Sequence, residues 1–412
     1  MFPLNALQLL LPLATSEVMF DAKTLPPIPA PFWFVQFFKV LGFVLHLLAM
    51  NLWFAGLPLA LLLLIFGRKF GRRFATRLFS QLPVIMAFGI NFGIVPLLFL
   101  QAVYYKAFYT ASILMAWHWI MIIPLVTIAY YSLYIAAFSV KTEQKKVRTF
   151  FAGLISTLCF LGIAYIFVSV MSLMTQPERM TAVWERGQLF AGKELGAATL
   201  GFGMNADEPT LWFRYGMIFG LALTTTAFWA VFDANILIPK RSDQSAEDLQ
   251  KDDQYRRWAG WFALVVALAG GAISAACYDK YLGYVAENSF AASLLKPKTT
   301  SCYILYAALF TPFLAAIAIF ATKIFRLRRY LTAFGVALFQ LVALATFAVS
   351  RQWIQNVEVS QVIPIAQLKE NTQFFPIYTS PLIAFLVFFV IGAIVIGWMI
   401  RQIVLAQDVG KV

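Results

Sequence analysis

Uninterrupted apolar segments recur along the whole chain, and they constrain it more than any other feature. Nine can be read: roughly Trp33–Phe66, Pro83–Val103, Ile113–Phe138, Phe150–Leu173, Leu211–Leu237, Trp258–Cys277, Cys302–Ala321, Leu331–Ser350 and Pro381–Ile400. A helix needs about 20 apolar residues, each advancing about 1.5 Å, to cross the hydrocarbon of a bilayer. No water is present there to bond an open backbone, so such segments must be helical. The expectation is an all-α polytopic membrane protein of about nine transmembrane helices. Pro58, Pro96, Pro124 and Pro312 fall within spans, where a packed bundle tolerates a kink. The first span exceeds one perpendicular crossing, so it either tilts or starts along the interface over Phe32–Leu41.

Composition agrees. Of 412 residues, 61% are hydrophobic and 12% charged, against about 45–50% and about 25% in globular domains. That excludes a water-soluble enzyme, a disordered chain and a disulfide scaffold. Two histidines, His46 and His118, exclude a multi-histidine metal cage. Three cysteines without a Cys-x-x-Cys-His motif exclude a c-type haem and a four-cysteine iron–sulfur cluster.

The net charge of +13 does not point to nucleic acid, because the basic residues sit in short connections between spans. Twenty of the 32 fall on one side: around Arg68–Arg77, Lys141–Arg148, Lys240–Arg257 and Lys323–Arg329, and in the tail at Arg401 and Lys411. The positive-inside rule then places the N-terminus outside and the C-terminus inside a bacterial-type inner (plasma) membrane. The 238–257 connection is the ambiguous one, since acids offset its bases. Residues 1–412 read as one transmembrane domain. Residues 1–31 read as an outer interfacial segment, not a cleaved signal, because the basic n-region is missing. Residues 174–210, 279–301 and 351–380 read as outer-face loops, either a docking surface for another subunit or inert connections.

Polar groups inside a bilayer are costly and tend to be paired or functional. His46 falls near the outer boundary of the hydrocarbon, and His118 lies five residues into the third span, about 8 Å deep. Two histidines at matched depth on different helices could be the axial ligands of one haem b. Each could instead bond a neighbouring backbone or sit in the interfacial aromatic belt, where Trp117 and Trp119 flank His118. Asn91 and Gln101 share a face of the second span and could line a polar cavity or bond between helices. Asp233, near the inner end of its helix, is expected to meet the basic connections. Cys277 ends the sixth apolar run and Cys302 begins the seventh, so a disulfide between them is a candidate on an oxidising face; Cys159 reads as packing. Gly201-Phe-Gly203 lacks the strand–turn–helix context of a nucleotide site. No chain of acids crosses the membrane, so no proton path is evident.

At Phe88-Gly-Ile-Asn-Phe92 the sequence resembles subunit I of the cytochrome bd quinol oxidases. Leu114-Met-Ala116, Arg214-Tyr215 and Ser350-Arg-Gln-Trp353 extend the resemblance over nearly the whole chain, as does the layout of nine spans with a histidine in the first. The resemblance implies a haem-binding role for His46. It also implies losses. The family's third-span carboxylates fall on Ser112 and about Ile120, its low-spin haem histidine on Tyr215, the methionine partner near Ala307 or Ala308, and a further carboxylate on Ala348. The connection after the sixth span, where the family handles quinol, is short here.

A chain so depleted is not expected to reduce oxygen by itself. The expectation is the membrane subunit of a respiratory electron-transfer complex. It would interact with a quinone near Arg351 and Trp353, hold at most one haem b, contact lipid, and dock a haem-bearing cytochrome on its outer face. The alternatives are a structural anchor without cofactor and a single-b-haem quinol oxidoreductase subunit.

Overall fold

The computed structural model describes residues 30–140, 146–191, 201–238, 245–325, 327–361, 363, 365 and 379–408. The expected interfacial segment 1–31 lies almost wholly outside them. Among the described residues there is no strand; the chain is a bundle of helices α1 (Phe32–Phe66), α2 (Lys69–Leu114), α3 (Ala116–Ser139), α4 (Lys146–Leu173), α5 (Met180–Ala191), α6 (Leu211–Leu237), α7 (Ala246–Asn288), α8 (Thr300–Ile324), α9 (Arg329–Val359) and α10 (Thr379–Asp408). All but α5 and α10 are, among the described residues, long and apolar enough to cross a membrane. The protein is a multi-pass integral membrane protein. Helix α10 corresponds to the ninth expected span, and Leu382–Gly392 is its described apolar stretch.

Several helices run past the apolar segments that announce them. Helix α7 starts twelve residues before Trp258, where Ser245 caps it by accepting from the Asp248 amide, and ends eleven residues after Cys277. Charged residues break a hydropathy signal without breaking a helix, because Lys, Glu and Arg are good helix formers. Consequently 279–288 is helix, not loop, and the 351–380 segment is helical as far as Val359. The 174–210 segment contains α5. Two spans carry a π turn, Leu52–Gly56 in α1 and Asp233–Leu237 in α6. Pro312 falls in a 3₁₀ turn, Thr311–Phe313, that divides α8.

The best-packed pairs are α6 with α7, α3 with α4 and α1 with α2. Helices α6 and α7 touch backbone to backbone: a Cβ on Gly220 would lie 2.4 Å from the Ser274 nitrogen and 2.6 Å from the Gly270 oxygen. Small residues permit that approach, and packing is what holds helices together in lipid. Buried polar side chains add bonds across helices. Asn51 donates to the Thr225 hydroxyl at 2.8 Å, and Gln340 donates to Thr224 and Thr225 at 3.1 and 2.9 Å. Asn91 and Gln101, in contrast, do not bridge helices: Asn91 donates to Ala87 of its own turn, and Gln101 accepts from Tyr109.

Asp233, fully buried, does meet the basic side. Its carboxylate accepts from Arg77 Nε and Nη2 at 2.7 and 2.8 Å, Gln81 Nε2 at 2.7 Å and the Tyr255 hydroxyl at 3.0 Å. Arg77 also donates to the Leu237 carbonyl at 2.9 Å, satisfying the end of the π turn.

Candidate functional site

Three large apolar clusters, with a small fourth at Phe54, Ala55 and Ala222, make up the core. One gathers around Trp53, Phe79 and Phe160, one around Phe38, Tyr104 and Phe108, and one around Leu47, Tyr278 and Phe347. A cavity of about 380 Å³ lies where they meet, walled by α1, α2, α3, α4, α6, α7 and α9. Its size is that of a small-molecule site.

His46 stands in this wall. Its Nδ1 lies 2.7 Å from the Gly89 carbonyl oxygen. A carbonyl can only accept, so Nδ1 carries the proton and Nε2 of the neutral ring holds a lone pair. No described residue donates to Nε2. The ring is clamped from behind: a Cβ on Gly93 would come within 2.7 Å of Nδ1, so only glycine admits the imidazole there. Trp53, two helical turns further along α1, presents its ring at 6.1 Å, edge to face. The arrangement fixes tautomer and orientation through a backbone carbonyl and leaves the other nitrogen for a ligand, which is how proteins prepare a ligating or hydrogen-bonding histidine.

The far end of the cavity is cationic. Lys39, Arg214 and Arg351 all line it, from the first turns of α1 and α6 and the last turns of α9. Lys39 is 3% exposed, donates to Gln355 Oε1 at 2.9 Å and lies 4.2 Å from the centre of the Tyr104 ring. Arg214 donates to the Thr210 hydroxyl at 2.8 Å, stacks on Tyr281 at 4.7 Å and lies in the field of Glu358 and Glu208. Arg351 lies over Phe43 at 4.8 Å. Around them Tyr104, Gln36, Gln352 and Asn356 form a hydrogen-bonded cluster, the Tyr104 hydroxyl donating to Asn356.

The cavity also has a lateral side. Ile90 and Val126 border both it and a groove between α2 and α3 carrying Thr127, Tyr130, Tyr131 and Tyr134. Ile90 and Ile94 are 38% and 47% exposed on that side, so the cavity communicates with the lipid face.

Several sequence expectations separate here. His118 does not share the cavity with His46: it starts α3 and faces the backbone at Gly203, while Trp117 beside it stacks on Phe202 at 5.4 Å. Matched depth on two helices leaves rotation about each axis free, and rotation points these rings to different places. A shared bis-histidine haem is therefore not supported. Arg351 lines the cavity but Trp353 does not, because two residues along a helix is about 200° of rotation. Tyr215 and Ala348 are in the wall; the Tyr215 hydroxyl is committed to the Leu161 carbonyl at 3.1 Å. Ser112 bonds within its own helix, to Phe108.

Cys277 and Cys302 are free thiols, contrary to the expected disulfide. Because α7 continues to Asn288, Cys277 sits about 16 Å below the helix end at 1.5 Å per residue. Its sulfur lies against Gly216 of α6, whereas Cys302 is in the first turn of α8. Lys39 escaped sequence reading, although a lone lysine inside a 35-residue apolar helix is itself a signal, and Arg214 entered it only as part of the Arg214-Tyr215 motif, not as a site residue. Among the described residues no group of three or more His, Cys, Asp or Glu is placed to hold a metal ion.

No family model matches the sequence, and no curated protein matches it. Among solved structures, the chain is similar to the bd oxidase from Geobacillus thermodenitrificans, with a TM-score of 0.60, 12% identity, and 90% of this chain and 97% of that chain covered. At that identity the likeness is one of architecture: this protein has the helical fold of a bd oxidase chain.

Proposed function

We propose that this chain is the integral membrane subunit of a respiratory electron-transfer complex in a bacterial-type inner membrane, and that the His46 end of its cavity binds a quinone. The observation that carries this reading is the His46 imidazole, locked by the Gly89 carbonyl and the Gly93 cradle with an uncommitted Nε2 facing an apolar cavity. A quinol hydroxyl donates to that lone pair. Trp53 and Phe160 supply flat apolar walls for the ring, and the gap at Ile90 and Ile94 leads an isoprenoid tail into lipid. Electrons would pass to or from a haem-bearing partner docked on the face formed by the longer connections.

A haem b is the second reading, and the residues fit it in part. His46 through Nε2, with a thioether of Met50, Met171 or Met217 in the same wall, would be the residues to hold it. Bound there, a haem would supply one-electron transfer. His46, held by its carbonyl anchor, would be the histidine that holds it, and the surrounding phenylalanines would exclude water.

The test is spectroscopy and quinone content on the purified complex, wild type against His46→Ala. A quinone that copurifies and is lost in the variant supports the proposal. A b-type Soret band lost in the variant selects haem. A complex that transfers electrons, is colourless, and keeps its quinone in His46→Ala refutes both and leaves a structural anchor.

A further inference from the structure

Two enclosed arginines of the bundle, Arg77 and Arg351, have opposite surroundings. Arg77 is answered by the two-pronged Asp233 carboxylate and by a carbonyl. Arg351, enclosed in the cavity wall, donates no hydrogen bond to any described residue and has no described carboxylate within ion-pair distance; the basic groups that act on it or share its end of the cavity are Arg214 and Lys39. Glu358 and Glu208 lie within the field of Arg214 but form no ion pair with it; Glu358 accepts from Ser289, and Glu208 from Gln176 and Thr210. A guanidinium brings five N–H donors in a rigid plane. Leaving them unanswered in a low-dielectric cavity, beside like charge, is strongly unfavourable. A neutral quinone at His46 does not remove that charge.

We propose that the Lys39–Arg351 end of the cavity binds the phosphate of an acidic membrane lipid. The fork of Arg351 matches two phosphate oxygens, and Lys39 adds a point charge with two ammonium protons beyond the one given to Gln355. The apolar wall running about 21 Å along α1 from Lys39 to Trp53, fourteen residues at about 1.5 Å each, takes an acyl chain. The opening at Ile90 and Ile94 connects that wall to the bilayer. A phosphate from water has no use for such a wall, which is why the lipid is the favoured source. The phosphate end is distinct from the His46 end, but the acyl chain and a quinone would share the same wall and opening, so they are competing occupants, and lipid retention is scored both with quinone removed and with quinone present.

The full-length chain, purified in neutral detergent, is equilibrated with phosphatidylglycerol, phosphatidylcholine or diacylglycerol, and the retained lipid is measured by mass spectrometry. The expected result is selective retention of phosphatidylglycerol. Arg351→Gln weakens it by about tenfold or more, and Lys323→Gln, which removes a peripheral cation stacked on Trp261, leaves it unchanged. Displacement by millimolar inorganic phosphate supports the anion site but moves its source to the aqueous phase. Equal retention of diacylglycerol and phosphatidylglycerol by the wild type overturns the proposal, even if Arg351→Gln does not fold; so does unchanged retention in a folded Arg351→Gln.

Discussion

Replacing Asp233 by Asn keeps the shape of the buried carboxyl and removes its charge. The carboxylate holds Arg77 through two nitrogens and accepts from Gln81 and Tyr255, while Trp229 donates to Gln81 at 2.9 Å and extends the cluster. An asparagine offers one acceptor oxygen to partners that are all donors, and turns an N–H₂ towards the rest. Removing one member of a buried pair costs about 3–5 kcal/mol, because the survivor stays buried and charged. The Arg77 side chain is 23% accessible, which puts the expected loss at the lower end, about 3 kcal/mol. For a chain of this size about 2 °C accompanies each kcal/mol, so the melting temperature should fall by about 6 °C. Tryptophan fluorescence during heating in detergent reads it directly, with eleven tryptophans in the chain. Arg77→Gln should cost a similar amount, and the double variant should cost less than the two together by at least about 2 kcal/mol. Additive losses, or a shift within about 1 °C for Asp233→Asn, would refute the claim that this cluster acts as one unit.

Two further outcomes are expected. All three cysteines should react with maleimide in denatured, unreduced protein; a pair of thiols that emerges only after reductant would restore the Cys277–Cys302 bridge. Asp207, in the connection before α6, is paired with Arg179 at 2.8 Å and Arg186 at 2.5 Å. Partial burial pushes its carboxyl up, but the Arg186 hydrogen bond and the Arg179 charge outweigh it and hold the pKa below the usual value. A depressed carboxylate stabilises the folded state above its unfolded pKa, about 3.9, and that contribution is lost as pH falls through the folded value. With the side chain 57% accessible, the effect should stay under about 1 kcal/mol. Wild type should therefore melt slightly above Asp207→Asn at neutral pH, with the gap closing below about pH 4; a gap that widens in acid contradicts the pairing.

Much of the architecture was legible in the sequence, because lipid leaves a 20-residue apolar segment a single structural option. Helix ends were not legible. Hydropathy marks where a helix leaves hydrocarbon, and α7 goes on for eleven residues after that signal stops at Cys277. The same error led to the disulfide expectation. His46 could be picked out because an ionisable residue in a span is costly, and its depth could be counted. Its partner could not, since His118 at similar depth turns to the Gly203 backbone, and azimuth comes from packing. Arg351 was visible as a corner cation. What makes it unusual, the want of an acceptor around it, exists only once α1, α6 and α9 are brought together.

The π turn at Leu52–Gly56 sets the first helix apart from an ordinary rod. Five residues there do the angular work that four do elsewhere, so the histidine half of the helix and the anchoring half at Leu57–Phe66 are phased separately. Deleting one residue there would restore regular winding and keep the phase, whereas winding all five residues as regular α-helix would swing the histidine half by about 100° relative to the anchoring half. The imidazole would then face away from its chamber while the lower half kept its grip on α2 and α4, a molecule still assembled but blind at its centre.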